Sequence, residues 1–374
     1  MKIGIDAQPL ARQNYTGVDY YVLNITQQLI DLSPDDEFEL CYFGNSTTKM
    51  PLTGKNVRRR PIKLPRRLYQ AFLRYLVAPP IDWLAHSRTD LFIFGDFVSL
   101  PLRYARKQIV VIHDLGYLEV PETMTPRLRR YLTRFVPKSI KRASAVVAVS
   151  SSTKQQIIDH YGTPADKISI ASPAIDHSQY KPSTAGEIEQ ITKNYKIQGS
   201  YILFLGTIEP RKNIVGLLEA YAALPESLQK SHQLVLAGGK GWLDENIMSL
   251  VNKLGDRVVQ TGYFQDADKA ALYSGASVFV YPSFYEGWGM QPLEAMACGT
   301  PVITSDNSSL PEVVGDAAIL INANDTSAIA GAMQRVLTDE ELAAELRQKG
   351  FDRAKASSWT ASASAMKRVI DSLR

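Results

Sequence analysis

Two doubly wound α/β domains are the fold this sequence predicts, and three observations predict it. Short, almost continuously apolar runs alternate with helical patterns along the chain, the mark of parallel sheets covered on both faces. That alternation breaks once, in a polar stretch near the middle. A length of 374 residues also exceeds what a single core usually serves.

The first set of strands is read at KIGID (2–6), FELCYF (38–43), DLFIF (90–94), IVVIHD (109–114), AVVAVS (145–150) and KISIAS (167–172). Helical patterns over Gly17–Leu32, Pro126–Arg142 and Thr153–Tyr161 fall between them. The second set is YILFLG (201–206), QLVLAG (233–238), RVVQTG (257–262), SVFVYPS (277–283), PVITSD (301–306) and AAILIN (317–322). Between the sets, Asp176 to Ser200 is polar and carries Pro182, Gly186 and Gly199, so it reads as the connection. The expected division is a first domain over 1–177, a linker over 178–199 and a second domain over 200–358. The last stretch, RAKASSWTASASAMKRVIDSLR, reads as one helix or two, with Trp359 as a large anchor. Sheets of this kind bind ligands beyond the carboxyl ends of their strands, and a cleft between two of them is the expected site.

Composition narrows the class. Apolar residues make up 45% and charged residues 21%, ordinary for a globular protein. No run of 18 apolar residues is present, which argues against a membrane-spanning helix. The amino-terminal residues lack the apolar stretch of a signal peptide. Cys41 and Cys298 stand far apart without metal-ligand spacing, and a reducing cytoplasm is the expected setting. Net charge is +4, yet residues 1–177 hold 24 cations and 16 acids, which points that half toward an anionic partner.

Two loops carry the chemistry. In FLGTIEPRKN (204–213) a strand ends at Gly206, and Arg211 and Lys212 precede an apolar helical pattern that Asn213 can cap. A guanidinium fork and an ammonium at a helix start suit a diphosphate. In YPSFYEGWGMQPLEAMACGTPVI (281–303), Gly287 and Gly289 loosen the loop, and Pro292 suits the first turn of a helix expected over Pro292–Cys298. The free amides near Met290, Gln291 and Leu293 form a second anion site. Glu286 and Glu294, with seven residues between them, flank it and can accept from hydroxyls. Amides in the middle and acids on either side fit a nucleotide sugar.

Together with SSLPEVVGDAA (308–318), these stretches resemble the retaining glycosyltransferases of family four, which have the GT-B fold. The wording is closest to the bacterial mannosyltransferases of O-antigen and exopolysaccharide synthesis. The resemblance is strong over 200–360 and weaker before it. It implies that Glu294 holds the ribose hydroxyls, Glu286 the donor hexose, and Arg211 and Lys212 the diphosphate. It further implies that the Met290, Gln291 and Leu293 amides meet sugar and phosphates, that the helix 359–374 returns to the first domain, and that no cofactor or metal is needed. Donor and acceptor follow as GDP-mannose and a glycan or polyprenyl-diphosphate-linked hydroxyl. Relatives commonly have Phe where Trp288 stands here and other residues at Met290-Gln291, which bears on sugar identity more than on reaction type. A UDP-sugar donor, an epimerase or a phosphorylase on the same fold, and a binding scaffold remain alternatives. A dinucleotide dehydrogenase is disfavoured by the missing glycine fingerprint.

In the first half the resemblance places Gly17 against the donor phosphates and His113 against the donor sugar, with Asp114 orienting His113 or its loop. Asp96 ends another strand and could reach the acceptor or cap its loop. The stretch from Lys55 to Arg74 holds eight cations and no acid. Tyr69, Phe72, Leu73 and Leu76 make an apolar face there, which suits either an anionic membrane over 55–77 or the core with a solvated basic side. Asp266 and Asp268 read as a helix cap. Nucleic acid is not an expected partner.

Overall fold

The computed structural model describes residues 1–12, 15–45, 50–75, 77–239, 241 and 245–374, without the side chains of Tyr75 and Glu245. Leu76 of the proposed apolar face and Asn14 of the first glycine loop lie outside the described residues. The chain forms two compact units, the first from Met1–Leu118, Thr125–Ala174 and Trp359–Arg374, the second from Glu119–Met124 and Ile175–Ser358.

The first unit is built on a parallel sheet of seven strands: β1 Lys2–Asp6, β2 Glu37–Phe43, β3 Val57–Ile62, β4 Leu91–Phe94, β5 Lys107–Ile112, β6 Ala145–Ala148 and β7 Ile168–Ile170. Their spatial order is β3-β2-β1-β4-β5-β6-β7. The central strands are apolar because helices cover both faces; β4 is buried throughout. Strand β3, VRRRPI, was absent from the strands read off the sequence. It lies at the sheet edge, where Pro61 costs no ladder bond and charged side chains deter a further strand. Its Arg60 pairs with the buried Glu39 of β2.

The second unit carries β8 Ser200–Leu205, β9 His232–Ala237, β10 Val258–Gly262, β11 Val278–Tyr281, β12 Val302–Ser305 and β13 Ala318–Ile321, all parallel, in the order β10-β9-β8-β11-β12-β13. Each sheet reverses its direction of growth beside its first strand, between β1 and β4 and between β8 and β11. Such switch points leave a crevice between loops at the carboxyl ends, which is where ligands bind.

The linker reading over 178–199 needs correction. Those residues contain the helix Ala185–Asn194, started by a capping box in which Thr184 Oγ1 accepts from Glu187 N and Glu187 accepts from Thr184 N. The helix packs on the second unit: Tyr195 Oη donates to Asp268 at 2.5 Å, and Ser183 N donates to Ser274 Oγ at 3.0 Å. Asp268 is thereby occupied, and its side chain makes no cap for the helix Lys269–Ser274. The carboxyl-terminal stretch makes two helices, Glu340–Lys355 and Trp359–Ser372, the second belonging to the first unit. There Trp359 meets Tyr21 edge-on at 6.1 Å, and Thr360 donates to Gln28 at 2.8 Å. Among the described residues no helix is long and apolar enough to cross a membrane.

Candidate active site

In the second unit the loops after β8 and β11 meet at the switch point. After β8 the chain makes a turn over Pro210–Lys212, and Asn213, at φ 54°, caps the helix Ile214–Ala222 by accepting from Gly216 N. The adjoining loop runs so close that a Cβ on Gly238 would stand 1.8 Å from the Gly206 carbonyl oxygen, so no other residue fits there. After β11 the loop is tied down twice. Phe284 N donates to the Arg211 carbonyl, and the turn at Asn307–Ser309 clasps it from the other side. Ser308 Oγ accepts from Glu286 N, and Ser309 Oγ donates to the carbonyls of Glu286 and Trp288. The SSLPEVVGDAA stretch thus acts by fixing the loop that bears Glu286.

These loops bring Glu286 to both cations. Arg211 Nη1 donates to Glu286 Oε2 at 2.7 Å and Lys212 Nζ to Oε1 at 2.6 Å. Arg211 also holds Glu209 Oε1 through Nη2 at 2.9 Å and the Tyr285 carbonyl at 2.8 Å. Tyr281 Oη accepts from Lys212 and donates to Gln291 Oε1. All four charged residues are largely buried, Arg211 being the most open with 21% of its side chain exposed. Burial alone would raise the Glu286 carboxyl, but the Arg211 and Lys212 cations outweigh it and hold it down at about 2. Burial lowers the Lys212 ammonium, with Glu286 opposing and Arg211 adding to the shift.

The picture from sequence is therefore revised. Lys212 points inward and braces Glu286. Two cations and two carboxylates, Glu209 and Glu286, leave the group formally neutral. Glu209, Tyr281 and Ser308 belong to it and were missed, although Glu209 stands inside the EPRKN loop.

The helix that follows runs over Met290–Ala297, two residues earlier than expected, with Gly289 at φ 103° before it. A Cβ on Gly289 would also meet Leu310 at 2.8 Å. Met290 and Gln291 are half-buried in its first turn, whereas the Leu293 side chain is in the core. The Trp288 ring packs against the core, and its buried Nε1 finds no acceptor among the described residues. Glu294, on the same helix, accepts from Tyr273 Oη at 2.8 Å. It also draws Lys269, which pairs with Asp266 at 2.7 Å. Replacing Tyr273 by Phe leaves a buried carboxylate short of one donor, so stability should fall by about 1.5–3 kcal/mol. Urea denaturation of the two proteins measures it, and equal midpoints would contradict that role.

The first unit carries its own group at the β1/β4 switch. Gly17 is the exposed first residue of the helix Gly17–Leu32. Asp19 folds back onto it, accepting from Thr16 N and Thr16 Oγ1 at 2.8 Å, and Arg12 closes on Asp19 at 2.9 Å. A carboxylate of the chain itself already answers that helix start. Arg12 also reaches Asp96 at 3.4 Å. Asp6, at the end of β1, is raised to about 6 by burial, with Asp96 adding to the shift. Neither Asp6 nor Arg12 was singled out from the sequence.

His113 is buried. Its Nε2 lies 2.8 Å from the Gly95 carbonyl oxygen, which can only accept, so Nε2 carries the proton. Tyr21 and Phe97 pack on the ring at 5.1 and 5.2 Å. Burial lowers its pKa, so the ring is neutral at physiological pH, and only Nδ1 is left to meet a ligand. Asp114 does not orient His113; it accepts from Gly116 N and shapes the following turn. Among the described residues, no three His, Cys, Asp or Glu side chains are placed to hold a metal ion.

A model described as Glycosyltransferase Family 4 matches residues 15–179, and one described as Glycosyl transferases group 1 matches residues 187–353. O-antigen chain mannosyltransferase B of Escherichia coli is 33% identical over 374 residues, covering 96% of each chain. The chain belongs to the family 4 glycosyltransferases. O-antigen chain mannosyltransferase RfbU of Salmonella typhimurium is 28% identical to this glycosyltransferase, over 64% of this chain and 62% of that one. Among solved structures, sucrose-phosphate synthase from Thermosynechococcus elongatus superposes on the glycosyltransferase with a TM-score of 0.77 at 21% identity, covering 100% and 99% of the two chains. HepE of Anabaena, in complex with UDP and glucose, gives 0.75 at 17% over 100% of both. The fold is GT-B, with two Rossmann-like units.

Proposed function

We propose that this glycosyltransferase moves mannose from GDP-mannose onto a hydroxyl of a glycan or lipid-linked acceptor, with retention at the anomeric carbon. The observation that carries this is the fixed Glu209–Arg211–Glu286–Lys212 group beside the open start of the Met290–Ala297 helix. A carboxylate held ionised next to a guanidinium can accept from a hexose hydroxyl while the guanidinium faces the leaving phosphate. Arg211, the most open of the four, is the group that meets the diphosphate, and the Met290 and Gln291 amides share that charge. Glu294 takes the ribose hydroxyls. As the bond to the diphosphate breaks, charge grows on the leaving oxygen, and donors already in place stabilise it without reorganising. Cationic side chains and amides fill the part that a metal ion plays elsewhere. The mannosyltransferase names of the E. coli and S. typhimurium relatives support mannose.

A thermal-shift panel tests the donor. At a hundredfold excess over Kd, a ligand stabilises by about 2.7 kcal/mol, which raises Tm by about 5–11 °C in a domain of about 150–250 residues. GDP-mannose should give that shift, with UDP-glucose, UDP-GlcNAc and ADP-glucose giving less. A larger shift with any of the three would overturn the donor assignment.

A further inference from the structure

Phe97, in the loop that follows β4, has its backbone at φ 52°. Glycine enters that left-handed region freely, and a bulky aromatic residue rarely does. Such a conformation persists only where the surroundings over-determine it, and residues of this kind gather at functional sites. Here the loop is pinned on several sides. Phe97 N donates to the Val111 carbonyl of β5 at 3.1 Å, and Ser99 N donates to Ser139 Oγ at 2.9 Å. Gly95 lies so close to the helix Gly17–Leu32 that a Cβ on it would stand 2.7 Å from Val22. The ring that this backbone carries goes to His113, at 5.2 Å between centroids and tilted by 53°. Tyr21 meets the same imidazole edge-on, and is itself held by the Ala171 carbonyl and by Trp359. The Gly95 carbonyl takes the Nε2 proton. One short loop therefore supplies both the acceptor for Nε2 and a wall for the ring.

With Nε2 engaged, Nδ1 is the nitrogen left for a ligand, and its direction depends on how the ring is held. We infer that Phe97 is a positioning residue, whose ring, set by the strained backbone, holds His113 in one orientation and one tautomer. That this serves sugar transfer rests on the transferase reading above; the holding itself does not. The Phe97 side chain is only half-buried, so core packing is a weak reason to keep it where φ favours glycine. Contact with His113 is the reason the geometry offers. Burial holds the imidazole pKa down, while the Gly95 carbonyl and the Asp96, Asp114 and Asp19 carboxylates pull it up. Arg12 stands beside both Asp19 and Asp96 and moderates their pull. Removing the Phe97 ring admits water, which weakens the burial effect and leaves the carboxylates in place, so the His113 pKa should rise.

NMR of the full chain carrying isotope-labelled histidine tests this, the His113 signals being those that vanish in His113→Asn. In the unaltered protein the ring should show one tautomer, protonated at Nε2, and titrate below its ordinary value of 6.5. Phe97→Gly removes the ring and relaxes the backbone, whereas Phe97→Leu removes the ring and keeps a bulky side chain there. Both should give mixed tautomers and a raised midpoint. Both should also lower kcat about tenfold or more while the donor KM changes less than about threefold. Phe97→Tyr, which keeps the ring, should restore tautomer, midpoint and kcat. Unchanged His113 signals in both ringless variants would overturn the inference, whatever their rates. So would release in Phe97→Gly alone, which traces the effect to the backbone, or failure of Phe97→Tyr to restore the signals. Failure of the transferase reading shows separately, as absent transfer by the unaltered protein or full turnover in His113→Asn, with the tautomer still shifting in the ringless variants.

Discussion

Glu286→Ala is expected to lose transfer below detection and to lower stability by about 3–5 kcal/mol, because it strands Lys212 and part of Arg211 as buried cations without their shared carboxylate. Urea midpoints and a radiolabelled donor assay read the two effects. Glu286→Gln separates them. It keeps the shape and one acceptor, so it should recover part of the stability while transfer stays lost, since an amide neither carries the charge nor accepts as strongly from a sugar hydroxyl. A Glu286→Ala protein with unaltered midpoint and turnover would remove Glu286 from the site.

The same carboxylate leaves a signature in acid. Its folded-state pKa is depressed, from an ordinary carboxyl value near 4.5 to about 2. Its contribution is then fully present above the unfolded value and is lost as pH falls from about 4.5 toward 2. A shift of that size corresponds to about 3 kcal/mol. Wild type should therefore lose stability through this window more steeply than Glu286→Gln, which has no proton to take up there. Parallel pH–stability curves below pH 4.5 would show that the ion pair does not stabilise the fold.

Which features were legible in the sequence follows from where their causes lie. The four central strands of the second unit, β8, β9, β11 and β12, are largely apolar because helices cover both faces, so local composition reports them. Strand β3 hides because its identity comes from lying beside β2 at an edge, which permits arginines and Pro61. The helix Ala185–Asn194 announced itself by Thr184 and Glu187, but the glycines and proline around it read as a connection. Glu286 and Glu294 could be paired from their spacing alone. The partners of Glu286 could not, since Arg211 and Lys212 stand 75 and 74 residues away and only the β8–β11 adjacency joins them. For the same reason the two cations read as open to a ligand. His113 was placed correctly at a strand end, but its Nε2 bond to Gly95 depends on β4 lying beside β5, which no local pattern encodes.

Arg211→Ala should cut kcat by about 10²–10³-fold, the usual effect of deleting one preorganised donor to a developing oxyanion. The fold should survive at reduced stability, because Lys212 still neutralises Glu286 while the buried Glu209 loses its guanidinium partner. The argument predicts a particular kinetic pattern. If Arg211 meets the diphosphate mainly as charge builds on the leaving oxygen, kcat and kcat/KM fall together while KM barely moves. If it only anchors the ground-state diphosphate, KM rises and kcat stays. Arg211→Lys sharpens the test: lysine keeps the charge but cannot hold Glu209, Glu286 and the Tyr285 carbonyl from one planar fork, so little of the lost rate should return. Full recovery with lysine would mean that charge alone suffices and that the hydrogen-bonded geometry around Glu286 is incidental. Unchanged kcat in Arg211→Ala would place the leaving-group charge elsewhere, on the Met290 and Gln291 amides alone.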